Sequence, residues 1–178
     1  MRAASPSGPT RRDPRMLWLV AAVLLVARVA LGIVEQRNPP ERPELVSWVE
    51  PADAAEQARR TGKPILYDFT ADWCPPCRAM QQEVFAQQRY ADALEQLVVP
   101  VRVLDRQRED GRNTALVDSL QRVHQVSAFP TLVIVGADGK AIDRLEGFPG
   151  AQQMMTWAGA TSVKGRTTNS KGMRLQFP

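Results

Sequence analysis

Cys74 and Cys77 are the only cysteines in this chain of 178 residues, and they stand three positions apart. They lie in the run Asp68-Phe69-Thr70-Ala71-Asp72-Trp73-Cys74-Pro75-Pro76-Cys77-Arg78, behind a strand-like stretch and ahead of a helix-like one. That placement suits thiol–disulfide exchange. A helix N-terminus carries partial positive charge and unpaired N–H groups, so it favours thiolate over thiol. Thiolate is the species that attacks a disulfide, which makes Cys74 the candidate nucleophile. Two other uses of the pair fit less well. A structural bridge closing so short a loop gains only about 2 kcal/mol on the loop-entropy account. A zinc site needs four ligands, and beyond these two thiols the chain offers a single histidine, His124.

The elements that must hold this pair are readable on either side of it. Lys63 to Thr70 contains the apolar run Ile65-Leu66-Tyr67-Asp68-Phe69, the pattern of a buried strand. From Pro75 a helix is expected through Met80, Val84 and Phe85, with both prolines in its first turn, where their missing N–H groups would have no partner. Upstream, Leu45 to Val49 reads as a short strand or extended segment and Pro51 to Arg60 as a helix ended by Gly62. Downstream come a helix over Tyr90 to Leu97 and a strand over Val98 to Leu104, expected to begin after Pro100. A polar loop, Asp105 to Asn113, leads to a helix over Thr114 to Gln125. The strand Leu132 to Val135 then turns at Asp138-Gly139 into Ala141 to Leu145, and a helix over Pro149 to Trp157 closes the domain. Strands alternating with helices give an α/β fold: a mixed sheet covered on both faces. From Thr161 the composition is Ser, Thr, Gly, Asn and basic residues, so residues 161–178 are expected to be a disordered tail.

The first sixteen residues carry +3 and the last fifteen +4 of a net charge of +4, which leaves the remainder at −3. A mildly acidic body gives no case for nucleic-acid binding. After the basic segment 1–15, residues 16–34 form an apolar run of nineteen, near the length that spans a bilayer, interrupted only by Arg28. Basic residues before the run and Glu35 after it give the charge order of a segment with its N-terminus in the cytoplasm. The run reads as an uncleaved signal anchor; the alternatives are a signal peptide cleaved near Ala30-Leu31-Gly32 and a run with no targeting role. Both targeting readings place the body outside the cytoplasm, and the anchor makes the expected protein a single pass in the inner membrane, with the catalytic domain facing the periplasm or cell exterior. Residues 35–44, with Pro39, Pro40 and Pro43, form an extended, stiff linker, and the folded domain occupies 45–160.

Four elements together resemble the thioredoxin superfamily: Asp68 six residues before Cys74, Trp73-Cys74-Pro75-Pro76-Cys77, Phe129-Pro130-Thr131 before a strand, and Asp138-Gly139 in the last hairpin. Within it, Tyr67 to Cys74 and the polar loop and helix before Phe129 are most similar to the C-terminal periplasmic domain of DsbD-type thiol:disulfide interchange proteins. That family's domain is joined to a multi-span electron channel, whereas this chain has at most one span. Pro75-Pro76 also departs from the commonest thioredoxin sequence. The resemblance implies a thioredoxin-like three-layer fold, with Cys74 the exposed attacking thiolate and Cys77 the resolving thiol. It implies that Asp68, buried and therefore raised in pKa, shuttles the Cys77 proton, against the alternative of a hydrogen-bonded structural carboxylate. Pro130 corresponds to the family's cis-proline beside the sulfurs, so that Phe129 and Pro130, with Trp73, Pro75 and Pro76, form the substrate-binding rim. Gly147 either allows close substrate approach or serves as a plain turn residue. His124 is given no role.

No cofactor is required. The implied partners are protein thiol or disulfide substrates, an upstream thiol electron donor protein, and the membrane through the N-terminal helix; a monomer is expected. Pro76 and Asp68, with no histidine between the cysteines, match the reductant pattern by resemblance. The leading expectation is therefore a membrane-anchored protein-disulfide reductase. The alternatives are an oxidase or isomerase of the same fold, and a binding or assembly module in which the cysteines are incidental.

Overall fold

The apolar run after Pro64 becomes the central strand of a four-stranded sheet. The computed structural model describes residues 14–37, 43–136 and 138–174, and the chain divides into two compact units between Glu41 and Arg42. The basic segment 1–13 and most of the proline-rich linker, residues 38–42, lie outside the described residues. In the first unit, α1 (Pro14–Arg37) has 24 residues, about 36 Å of helix, and is long and apolar enough to cross a membrane. It extends past Val34, so Glu35 to Arg37 are helical and not part of an extended linker.

The second unit holds α2 (Pro51–Thr61), β1 (Ile65–Ala71), α3 (Pro75–Met80), a π-helical turn (Gln81–Phe85), α4 (Gln88–Leu97), β2 (Val99–Asp105), α5 (Gln107–Asp110), α6 (Ala115–Val123), β3 (Thr131–Val135), β4 (Ala141–Glu146) and α7 (Ala151–Arg174). The strand order is β2-β1-β3-β4, with β1 parallel to β2 and the other pairs antiparallel. β2 starts at Val99, one residue before Pro100 and not after it; as an edge strand it occupies the position where a sheet accommodates proline. The segment Leu45 to Val49 does not join the sheet as a strand, although Val49 N–H donates to Pro100 O at 2.8 Å.

Strand alternation divides the core in two. Ile65, Tyr67, Phe69, Val99, Val101, Val103, Val133 and Val135 face α2 and α6, meeting Ala54, Ala58, Val117 and Leu120. Leu66, Leu132 and Ile134 face the other way, onto Met80, Val84, Phe85, Leu94 and Met154. Asp68 and Arg102 share the parity of Leu66 and Pro100 and stand opposite each other in register, so both belong to the face covered by α3 and the π-helical turn. The polar stretch before α6 is less irregular than its composition suggests, since it contains the short α5. Gln107 N–H and the Asn113 and Gln121 amides all donate to the buried Asp105 carboxylate.

The disorder expected from Thr161 is not found over residues 161–174: α7 continues to Arg174, and Thr161, Ser162 and Gly165 are buried, while residues 175–178 lie outside the described residues. Small side chains are the reason. A Cβ on Gly165 would lie 2.8 Å from Ile142 Cδ1 and 3.0 Å from Pro64 Cβ, so the helix approaches the start of β1 closely enough that any side chain here would have to push its neighbours aside. Thr161 Oγ1 and the Trp157 indole both donate to Asp143 Oδ2, tying α7 to β4.

Candidate active site

The sharp exit from β1 places both cysteines at the start of α3. Cys74 N–H donates to Ala71 O at 3.2 Å, closing the turn. Cys74 is the N-cap of α3, with Pro75 and Pro76 in the first turn as expected. The two sulfurs form a disulfide. The Cys77 N–H donates to Cys74 Sγ at 3.2 Å, so the helix's first free backbone donor is aimed at the sulfur that becomes the thiolate on reduction.

Cys74 does not have the exposure expected of it. In this disulfide state it is only 2% exposed and Cys77 5%. Phe129 covers them, packing on Ala71, Cys74 and Cys77. Trp73, itself 41% exposed, meets the Phe129 ring edge-on at 6.1 Å between centroids. The Phe129–Pro130 peptide is cis, with Pro130 buried and Pro75 and Pro76 exposed. Gly147, at φ 76°, donates its N–H to Pro130 O at 2.8 Å, so it acts here as the turn that holds the proline segment. The Trp73 loop is met by α5 and the residue before it: Arg106, the N-cap, pairs with Asp72 at 2.8 Å and Arg108 lies over the Trp73 ring, 5.3 Å from its centroid.

Asp68 is 1% exposed on the sheet face beneath α3. Burial pushes its pKa up from 3.8 to about 6; Arg102 offsets part of that rise and Glu44 adds to it. Arg102 Nε lies 3.5 Å from Asp68 Oδ2. This is an ion pair without a hydrogen bond, because among the described residues neither Asp68 oxygen nor Arg102 Nε has a hydrogen-bond partner. His124 caps the end of α6 and packs on the Tyr67 and Phe69 rings, with its pKa lowered by burial and by Arg144.

The structure thus brings together Cys74, Cys77, Trp73 and Phe129, with Pro130 joined to Phe129 through the cis peptide and Asp68 on the sheet face covered by α3 and the π-helical turn. Sequence reasoning missed Arg102 and Glu44. The available signal was a lone arginine in the apolar run Val98 to Leu104, parallel to a strand with a lone aspartate.

Residues 51–161 match the Thioredoxin-like domain family. The chain belongs to that family. Disulfide bond reductase DsbH of Chlamydia pneumoniae is 29% identical over 139 residues, covering 75% of this chain and 82% of that protein. Thiol:disulfide interchange protein TxlA of Synechococcus elongatus is 37% identical over 93 residues, 52% of this chain and 47% of that protein. A solved structure of a DsbH oxidoreductase superposes with a TM-score of 0.57 at 25% identity, covering 71% of this chain and 92% of that one. The chain spans half or less of the length of several curated relatives it matches, 47% of TxlA and 16% of a DsbD among them. Family membership and fold agree with the mixed sheet and with the cysteine pair at the start of α3.

Proposed function

We propose that this protein is a thiol–disulfide oxidoreductase working as a protein-disulfide reductase, held to a membrane by α1 with its second unit outside the cytoplasm. The observation that carries the reading is the Cys74–Cys77 pair at the first turn of α3, with a backbone N–H on Cys74 Sγ and a buried carboxylate beneath the helix. The similarity to a disulfide bond reductase over most of that protein's length favours the reductive direction.

In the reduced protein the Cys77 N–H and the start of α3 stabilise the Cys74 thiolate. The thiolate attacks one sulfur of a client disulfide. The client S–S bond breaks, a Cys74–client bond forms, and one client thiolate leaves. Asp68 takes the proton from the Cys77 thiol, and a pKa near 6 lets it act as an ionised base at neutral pH. The Cys77 thiolate attacks Cys74 Sγ, releasing the second client thiolate and closing the disulfide seen here. Two electrons pass to the client, and an upstream dithiol protein restores the reduced pair. Phe129, Trp73, Pro75, Pro76 and the cis Pro130 segment form the surface against which the client chain lies, and the protein acts as a monomer.

The test is the reduction potential of the second unit, by equilibration against thiol buffers and trapping of free thiols. A value near about −270 mV supports a reductant; a value near about −120 mV overturns it in favour of an oxidant.

A further inference from the structure

The ion pair under α3 is part of a larger arrangement that reaches the surface. Arg102 Nη1 donates to Glu44 Oε1 and Nη2 donates to Gln81 Oε1 at 2.8 Å. Gln81 Nε2 donates to Glu44 Oε1 at 3.0 Å, closing a ring of three side chains. The guanidinium carbon lies 4.1 Å from the Trp48 ring centroid and 5.6 Å from that of Phe85, so the guanidinium also rests against this aromatic pair. Arginine recognises a carboxylate best with two parallel N–H bonds. Each terminal nitrogen commits one of its two N–H groups outward, to Glu44 or Gln81, and Asp68 is met by Nε at 3.5 Å with, among the described residues, no hydrogen bond.

From this geometry we infer that Glu44 is a positioning residue of the candidate site: by holding the Arg102 fork outward, it denies Asp68 a full ion pair and so keeps the buried carboxylate able to take up a proton. The charged groups acting on Asp68 are Arg102 from β2 and Glu44 from the segment before α2. Leu132 stands opposite it on β3, and the helical layer over this face contributes the apolar Met80 and Val84 and the neutral Gln81. Glu44 opposes Arg102 in two ways that act in one direction, as a negative charge and as a rival acceptor. Its position close to the start of the second unit puts this control where the chain enters from the linker. The inference rests on Asp68 as the acceptor of the Cys77 proton, and the experiment separates the two.

The oxidised full chain, labelled with 13C at the aspartate carboxyl carbons and held in detergent micelles, is titrated by NMR, with Asp68→Asn assigning the resonance. Glu44→Gln should lower the Asp68 midpoint by at least about half a pH unit, a roughly threefold loss of proton affinity. Arg102→Met should raise the midpoint. In the Arg102→Met background the Glu44→Gln effect should fall to less than half its size. An unchanged midpoint in Glu44→Gln, or an equal shift with and without Arg102, overturns the inference. Arg102→Gln serves where the methionine variant does not fold. Single-turnover reduction of di-eosin glutathione disulfide by the reduced chain, followed against pH, tests the underlying reading. Two groups shape the acid side of that profile, the Cys74 thiol and Asp68. Asp68→Asn should remove the Asp68 contribution and leave the Cys74 limb, and Glu44→Gln should move the Asp68 contribution to lower pH. A profile unchanged by Asp68→Asn overturns Asp68 as the proton acceptor, whatever the NMR midpoints are.

Discussion

Replacing Asp68 by asparagine should stabilise the protein, and by an amount that depends on pH. The carboxyl is raised from 3.8 in the unfolded chain to about 6 in the fold, chiefly because burial penalises its charge. Below the unfolded value the group is protonated in both states and folding carries no penalty. Above the folded value it is ionised in both, and the native state bears the whole penalty. A span of a little over two pH units, at about 1.4 kcal/mol for each, makes that penalty about 3 kcal/mol. Wild-type stability from this group therefore falls as pH rises from about 4 to about 6, and asparagine, which does not titrate, escapes the fall. Urea unfolding of the oxidised second unit from Arg42 onward measures this cleanly, because no thiol titrates in the disulfide form. The variant and wild type should match near pH ~4 and diverge until the variant's midpoint is about 1–3 M higher above pH ~7. A constant gap across the range, or a less stable variant at neutral pH, refutes the reasoning.

Cys74→Ser should abolish disulfide reduction, whereas Cys77→Ser should accumulate mixed disulfides with clients, visible as dithiothreitol-sensitive bands on non-reducing gels. Phe129→Ala removes the ring that covers both sulfurs, and stopped-flow reduction of the oxidised protein by dithiothreitol should quicken severalfold; an unchanged rate would mean that Phe129 does not limit access. Gly165→Val forces a side chain into Pro64 and Ile142 and should cost about 1–3 kcal/mol in thermal or urea unfolding, with no loss if α7 were free to move aside.

The parts of the site that follow one another in the chain were legible from the sequence. Ile65 to Phe69 reads as a strand because nearly every residue is apolar, and Asp68 stands out within it for the same reason. Cys74 to Cys77 is local, so its place at a helix start follows from the flanking patterns. What was not legible depends on register. Arg102 meets Asp68 only because β1 pairs with β2 at one particular offset, and Glu44 and Gln81 join them from segments 58 and 21 residues away from Arg102. The exposure of Cys74 was misjudged because Phe129 reaches it across a long separation in sequence. The helix beyond Thr161 was hidden by composition: threonine, serine and glycine are poor helix formers, and only their packing on Pro64, Ile142 and Asp143 reveals why small residues stand there.

That packing has a consequence for the order of events at the ribosome. Gly165 seals the entry to β1, far behind Pro64 in the order of synthesis. Cys74 and Cys77 therefore emerge long before the helix that completes the body around them. Until Phe129 and the strands β3 and β4 that follow it are made, the nascent chain carries two thiols without their covering residue. In an oxidising compartment those thiols meet oxidants during translation, and the short spacing that makes the pair a redox centre also gives each thiol a partner close at hand before any foreign one.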